Sequence, residues 1–187
     1  MTDVADTAFL TPRRLRIVRT SSAMAWLCLS AAVLLPVGVA AYWAVSPVGA
    51  LAGDARVPLS WLESFGPLQR MAGALASLVP VAVLAWGLMR LRGCFLGFAR
   101  GALFDGESVR GFRDFALALT ATALLGIPAR TLVGLVLSWG APEGQKQLAI
   151  SLSSDMLLML CVGGTMAVVG WVLGEAADLA EENASFI

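Results

Sequence analysis

Residues 153–187 read SSDMLLMLCVGGTMAVVGWVLGEAADLAEENASFI. An apolar run long enough to cross a hydrocarbon layer follows Asp155 and passes directly into an acidic segment with helical spacing. The stretch defines the solvent this chain is built for, and the rest of the sequence repeats the pattern. Of the 187 residues, 58% are hydrophobic and 14% are charged. A soluble domain is about 45–50% apolar and about 25% charged, so the composition is that of an integral membrane protein.

Four apolar spans are expected, at about residues 22–45, 69–91, 115–139 and 156–173. The expected fold is all-α, a single polytopic domain in which four transmembrane helices form a bundle with both termini cytoplasmic. Residues 1–21 are expected to form an N-terminal arm, polar and irregular up to Thr20, with a basic cluster, Arg13, Arg14, Arg16 and Arg19. It resembles the start of a signal peptide, but the following run is too long for one, and it reads as an uncleaved first span. The arm serves as a topology signal or, alternatively, as a basic segment for a partner or anionic lipid. Pro36, Pro80 and Pro128 lie within spans and predict kinks there. Tyr42 and Trp43 read as an interfacial aromatic pair closing the first span.

Residues 46–68 hold Pro47, Gly49, Gly53, Asp54, Pro58, Gly66 and Pro67 and read as loop rather than core element. Trp61, Leu62 and Phe65 could form a short surface helix there, with a ligand-binding lid as the sharper alternative. In the middle loop, Asp105 followed by Gly106 and Glu107 is a helix start, because a carboxylate can accept the orphan N–H groups and favours the positive helix end.

Lys and Arg set the orientation. The arm and the middle loop carry Arg13, Arg14, Arg16, Arg19, Arg90, Arg92, Arg100, Arg110 and Arg113, against Arg56, Arg70 and Lys146 in the two other connecting segments. The richer side is expected to be cytoplasmic. This places the tail, 174–187 with Glu175, Asp178, Glu181 and Glu182, on the same side, for pairing with the loop arginines or for docking a basic protein.

Arg130 is the one charge inside an apolar run. Fifteen residues beyond Phe115, about 22 Å of rise, it is expected in the outer half of the layer. Its cost there is at least about 2.5 kcal/mol unless it snorkels or pairs. Asp155 is the available partner, as a helix-locking pair or as part of a wet outer cavity. Gly163, Ala167, Gly170 and Gly174 make a stripe at spacings of four, three and four, suited to close helix packing within the bundle or across a homodimer.

Other chemistries have little to draw on. Net charge is zero, without the concentrated basic surface of a direct nucleic-acid binder. The chain has no His, which removes the commonest general base and metal ligand. Cys28, Cys94 and Cys161 show no paired spacing and read as packed thiols. No catalytic residue, cofactor or metal is expected.

Gly101, Phe104, Glu107, Ser108 and Val109 in the middle loop, the Ser-Ser-Asp-x-Leu-Leu run from Ser153, and Glu182, Asn183 and Ile187 at the end resemble a bacterial four-helix membrane family known as domain of unknown function 2975. The resemblance covers about residues 69–187. Asp105 stands where that pattern has Ser or Thr, and Ser108 where it has Asn. The resemblance implies a non-enzymatic inner-membrane protein that regulates or signals to a small cytoplasmic helix-turn-helix regulator. Phe104, Asp105, Glu107, Glu181, Glu182 and Asn183 are then the expected partner contact. The reading of different class is a small transporter or an immunity or stress-tolerance protein acting in the bilayer through Arg130 and Asp155.

Overall fold

A computed structural model describes residues 12–55, 58, 65–101, 106–139 and 154–185. All of the regular structure described is helical: α1 (Pro12–Val45), α2 (Val48–Ala55), α3 (Pro67–Arg100), α4 (Gly106–Leu137) and α5 (Ser154–Ser185). α1, α3, α4 and α5 are each long and apolar enough to cross a membrane, as a multi-pass helical protein in contact with lipid requires. At 32–34 residues they measure about 48–51 Å, against a hydrocarbon layer of about 30 Å, so each continues past the apolar zone.

The long helices run antiparallel to their sequence neighbours. α3 lies between α1 and α4, and α5 packs on the far side of α4. Small residues fix each contact. A Cβ at Gly87 would strike that of Ala118, and one at Gly111 would lie 2.8 Å from the Arg90 carbonyl oxygen, so α3 and α4 touch nearly backbone to backbone. Thr122 Oγ1 donates to Ala118 O (2.7 Å) on its own helix and reaches Pro80 O (3.3 Å) across the interface. On α5, Gly163 meets Thr120 and Ala116, Gly170 meets Phe112 and Arg113, and Gly174 faces Val109. Ala167 is buried on the same side.

Helix ends follow local chemistry. At the start of α3 the Gln69 side chain reaches back to accept the Gly66 N–H (2.8 Å), and Pro67 occupies the first turn, where it costs no intrahelical bond. α3 stops at Gly101, whose φ of 91° lets its N–H turn back onto Gly97 O and Phe98 O. α1, α3 and α4 continue through Pro36, Pro80 and Pro128.

Three expectations are corrected. The N-terminal arm is not irregular up to the first span, because helix begins at Pro12 and carries the arginine cluster. Residues 46–68 are not simply loop: α2 forms there and buries Leu51 to 2% exposure in a cluster with Trp43 and Leu137. Trp43 is not an interfacial anchor facing lipid. It is 4% exposed, its ring lies in the notch left by Gly73, and its Nε1 donates to Ser77 Oγ at 3.1 Å. Tyr42 beside it, 39% exposed, keeps the outward position.

Candidate functional site

The two ends of the helix assembly differ in chemistry. One end, marked by Arg90, gathers Arg16 and Arg19 from α1, Arg90, Arg92 and Arg100 from α3, Glu107, Arg110, Arg113 and Asp114 from α4, and Glu175 from α5. Arg90 pairs with Asp114, Nε at 2.7 Å and a terminal nitrogen at 2.6 Å from the same carboxylate oxygen, and this is the ion pair among the described residues. Arg110 folds back, Nε donating to Gly106 O at 3.0 Å.

Asp114 is the residue that sequence reasoning missed, and the signal was present. The α3–α4 connection is short and the helices are antiparallel, so positions equidistant from its midpoint face one another. Arg90 and Asp114 stand ten residues before the end of α3 and eight after the start of α4, within about one turn of that symmetry.

The residues expected to contact a partner divide. Phe104 and Asp105 lie outside the described residues, as do the side chains of Glu181, Glu182 and Asn183. Glu107 is exposed at the first turn of α4, favourably placed at the positive helix end. Its neighbours turn inward: Ser108 is buried and Val109 packs toward Gly174. Helix α5 runs on from Gly174, the last glycine facing α4, to Ser185, about 16 Å of further rise. Asp155 and Glu175 bracket its uncharged stretch, nineteen residues or about 28 Å, close to the hydrocarbon thickness.

At the other end, Arg130 and Asp155 are both exposed, and no ion pair joins them. Their heights are close all the same. The α4–α5 register, with Gly126 opposite Met156 and Thr120 opposite Gly163, sets Arg130 about level with residue 153, roughly 3 Å of rise from Asp155. Through the α3–α4 register Arg130 also falls near Gly73, within about one turn of the level of Arg70. A guanidinium at that height reaches the interface by extending its own side chain. Arg70 itself closes the α1–α3 pair, donating to Ala44 O (3.0 Å) and Ser46 O (2.9 Å), carbonyls that the end of α1 leaves without helical partners. Ser151 and Ser153 lie outside the described residues, and Ser154 is exposed at the start of α5.

The same end holds a crevice of about 390 Å³ lined by Gly38, Val39, Tyr42, Trp43, Leu51, Ser77, Val133 and Leu137. Among the described residues, no group of three or more His, Cys, Asp or Glu side chains is placed to hold a metal ion. Cys28 and Cys94 are buried together with Leu91 between α1 and α3, and Cys161 is exposed on α5. No family model, curated protein or solved structure matches this chain.

Proposed function

We propose that this chain is a non-enzymatic regulatory protein of the bacterial inner membrane, with both termini cytoplasmic, that binds a small cytoplasmic helix-turn-helix regulator. The observation that carries the reading is the continuation of α5 past its last glycine contact with α4, as a helix bearing Glu175, Asp178, Glu181 and Glu182. The extension starts at the exposed Glu175, at the arginine-rich end of α3 and α4, and its sequence is acidic, whereas DNA-binding proteins carry the complementary basic surface. Glu107 belongs to the same end. The positive-inside distribution supports the cytoplasmic assignment of that end.

The test is affinity recovery from gently solubilised membranes of the source bacterium, wild type beside Glu181→Lys/Glu182→Lys. Recovery of a helix-turn-helix protein by wild type and its loss from the variant is the expected result. Equal recovery by both removes the tail from the contact, and recovery of no DNA-binding protein by a well-folded sample overturns the reading. Cysteine labelling at residue 181 from each side of sealed vesicles tests the orientation separately.

The second reading, a transport or protective role at Arg130 and Asp155, is favoured by their matching heights and their exposure. It requires that deleting residues 176–187 leave the phenotype intact while Arg130→Gln abolishes it. The small-residue stripe gives no separate support to a homodimer, since Gly163, Gly170 and Gly174 already face α4.

A further inference from the structure

We propose that the crevice between α1 and α4 holds one acyl chain of a bilayer phospholipid as a resident ligand. Its walls come from α1 (Gly38, Val39, Trp43) and α4 (Val133, Leu137), its floor from α3 (Ser77), and Leu51 of α2 roofs it. The shape has a structural cause. α1 and α4 both pack on α3, and their side chains meet at the Trp43–Leu137 cluster, where Leu51 joins them. Next to that cluster a slot lies between residues of α1 and α4, over Ser77 of α3. The slot opens sideways at Gly38, which is exposed and has no neighbouring atom within 4 Å of where a Cβ would stand, and beside the exposed Tyr42. The opening is therefore on the lateral surface of a membrane-spanning helix, where hydrocarbon is the surrounding medium.

The lining selects the occupant. Two of its polar groups already satisfy each other: the Trp43 indole N–H donates to Ser77 Oγ, and that hydroxyl donates to Gly73 O at 2.9 Å. A water in the slot would find few of the two to four partners it needs. An empty slot of this size would forfeit the dispersion contacts of its lining. At about 390 Å³ it falls in the range of small-molecule pockets. That volume is too small for a further helix, which with side chains is about 10–12 Å across and would fill it within about one turn. A flexible hydrocarbon chain fits the slot's size, its apolar lining and its lateral opening.

The experiment uses the full chain reconstituted in phosphatidylcholine vesicles whose acyl chains are brominated near the carboxyl end. Bromine quenches indole fluorescence on contact. Trp43 is kept as the single tryptophan, the other five being replaced by Phe, and a second chain keeps only Trp86, which is 53% exposed on α3. Trp43, at 4% exposure, has little surface for annular lipid to touch. A seated chain nevertheless quenches it to an extent comparable with Trp86. Filling the slot from either wall, with Gly38→Phe or Val133→Phe, is expected to cut quenching of Trp43 about threefold and leave Trp86 unchanged, since a filled pocket excludes its ligand. Weak quenching of Trp43 in the unfilled chain overturns the proposal without reference to the variants. Quenching that survives both fillings overturns it as well, because ordinary lipid collisions would then account for the signal.

Discussion

Gly163 and Gly164 are neighbours on α5 that make opposite demands on a methyl group. A Cβ at Gly163 would lie 2.6 Å from Thr120 Oγ1, 3.1 Å from Thr120 N and 3.4 Å from Ala116 O, and two of those three atoms are backbone. Thr120 cannot simply rotate away at no cost, since its hydroxyl donates to Ala116 O at 3.0 Å. At Gly164 nothing lies within 4 Å. Gly164→Ala should therefore show only the helix-propensity gain, up to about 1 kcal/mol. Gly163→Ala receives the same gain, offset by about 1–3 kcal/mol of overpacking as α5 is pushed off α4. The two variants should differ by about 2 kcal/mol, Gly163→Ala being the less stable. Unfolding by SDS in mixed micelles, followed by far-ultraviolet circular dichroism, reads the difference. Adding Thr120→Ala to Gly163→Ala should recover part of the loss, because the closest of the three atoms is then gone. Equal stabilities for Gly163→Ala and Gly164→Ala would refute the close α4–α5 contact and the register drawn from it.

Three further expectations are tested by standard means. Trp43→Phe should cost about 1 kcal/mol through the lost donation to Ser77, whereas Trp43→Ala should cost about 3–5 kcal/mol through the cavity opened against Gly73 and Leu137, measured in the same unfolding assay. A double-mutant cycle on Arg90→Gln and Asp114→Asn should give a coupling of about 0.2–1 kcal/mol that shrinks with added salt, because the Arg90 side chain is 48% exposed; a salt-independent coupling would contradict that exposure. In the folded protein in detergent, a maleimide should modify Cys161 and leave Cys28 and Cys94 intact until denaturant is added, as counted by intact mass.

The four long helices were legible in the sequence because an apolar run of bilayer length has few other uses, and charge leaves such a run only at its ends. The interior of the assembly was less legible. In a soluble protein a period of apolar residues marks the buried face, but here lipid and neighbouring helices are equally apolar, and Leu157, Leu158 and Trp171 on α5 face outward as comfortably as Ala167 faces inward. Only small residues mark the contacts, and they do so without naming the partner: Gly73 receives an indole ring, whereas Gly111 receives a backbone. Trp43 was misleading for a related reason, since an aromatic at the end of a span fits an interface or a notch equally well. α2 escaped notice because eight residues between two glycine- and proline-bearing segments show too little period to register. Asp114 stands one residue before the expected span from 115, and its role becomes visible only once the α3–α4 hairpin is folded about its short connection.

The row-like packing of the long helices bears on how the chain is made. Each long helix packs on the next long helix in sequence, α1 with α3, α3 with α4, and α4 with α5. Each can therefore dock as it leaves the synthetic machinery, without waiting for a distant segment, a topology of low contact order. The α1–α3–α4 set, with its Trp43 cluster and its crevice, is complete before α5 arrives. α5, the edge helix resting on α4, is the last to join and the cheapest to release, a separable unit of stability at the end of the chain that carries the acidic rod.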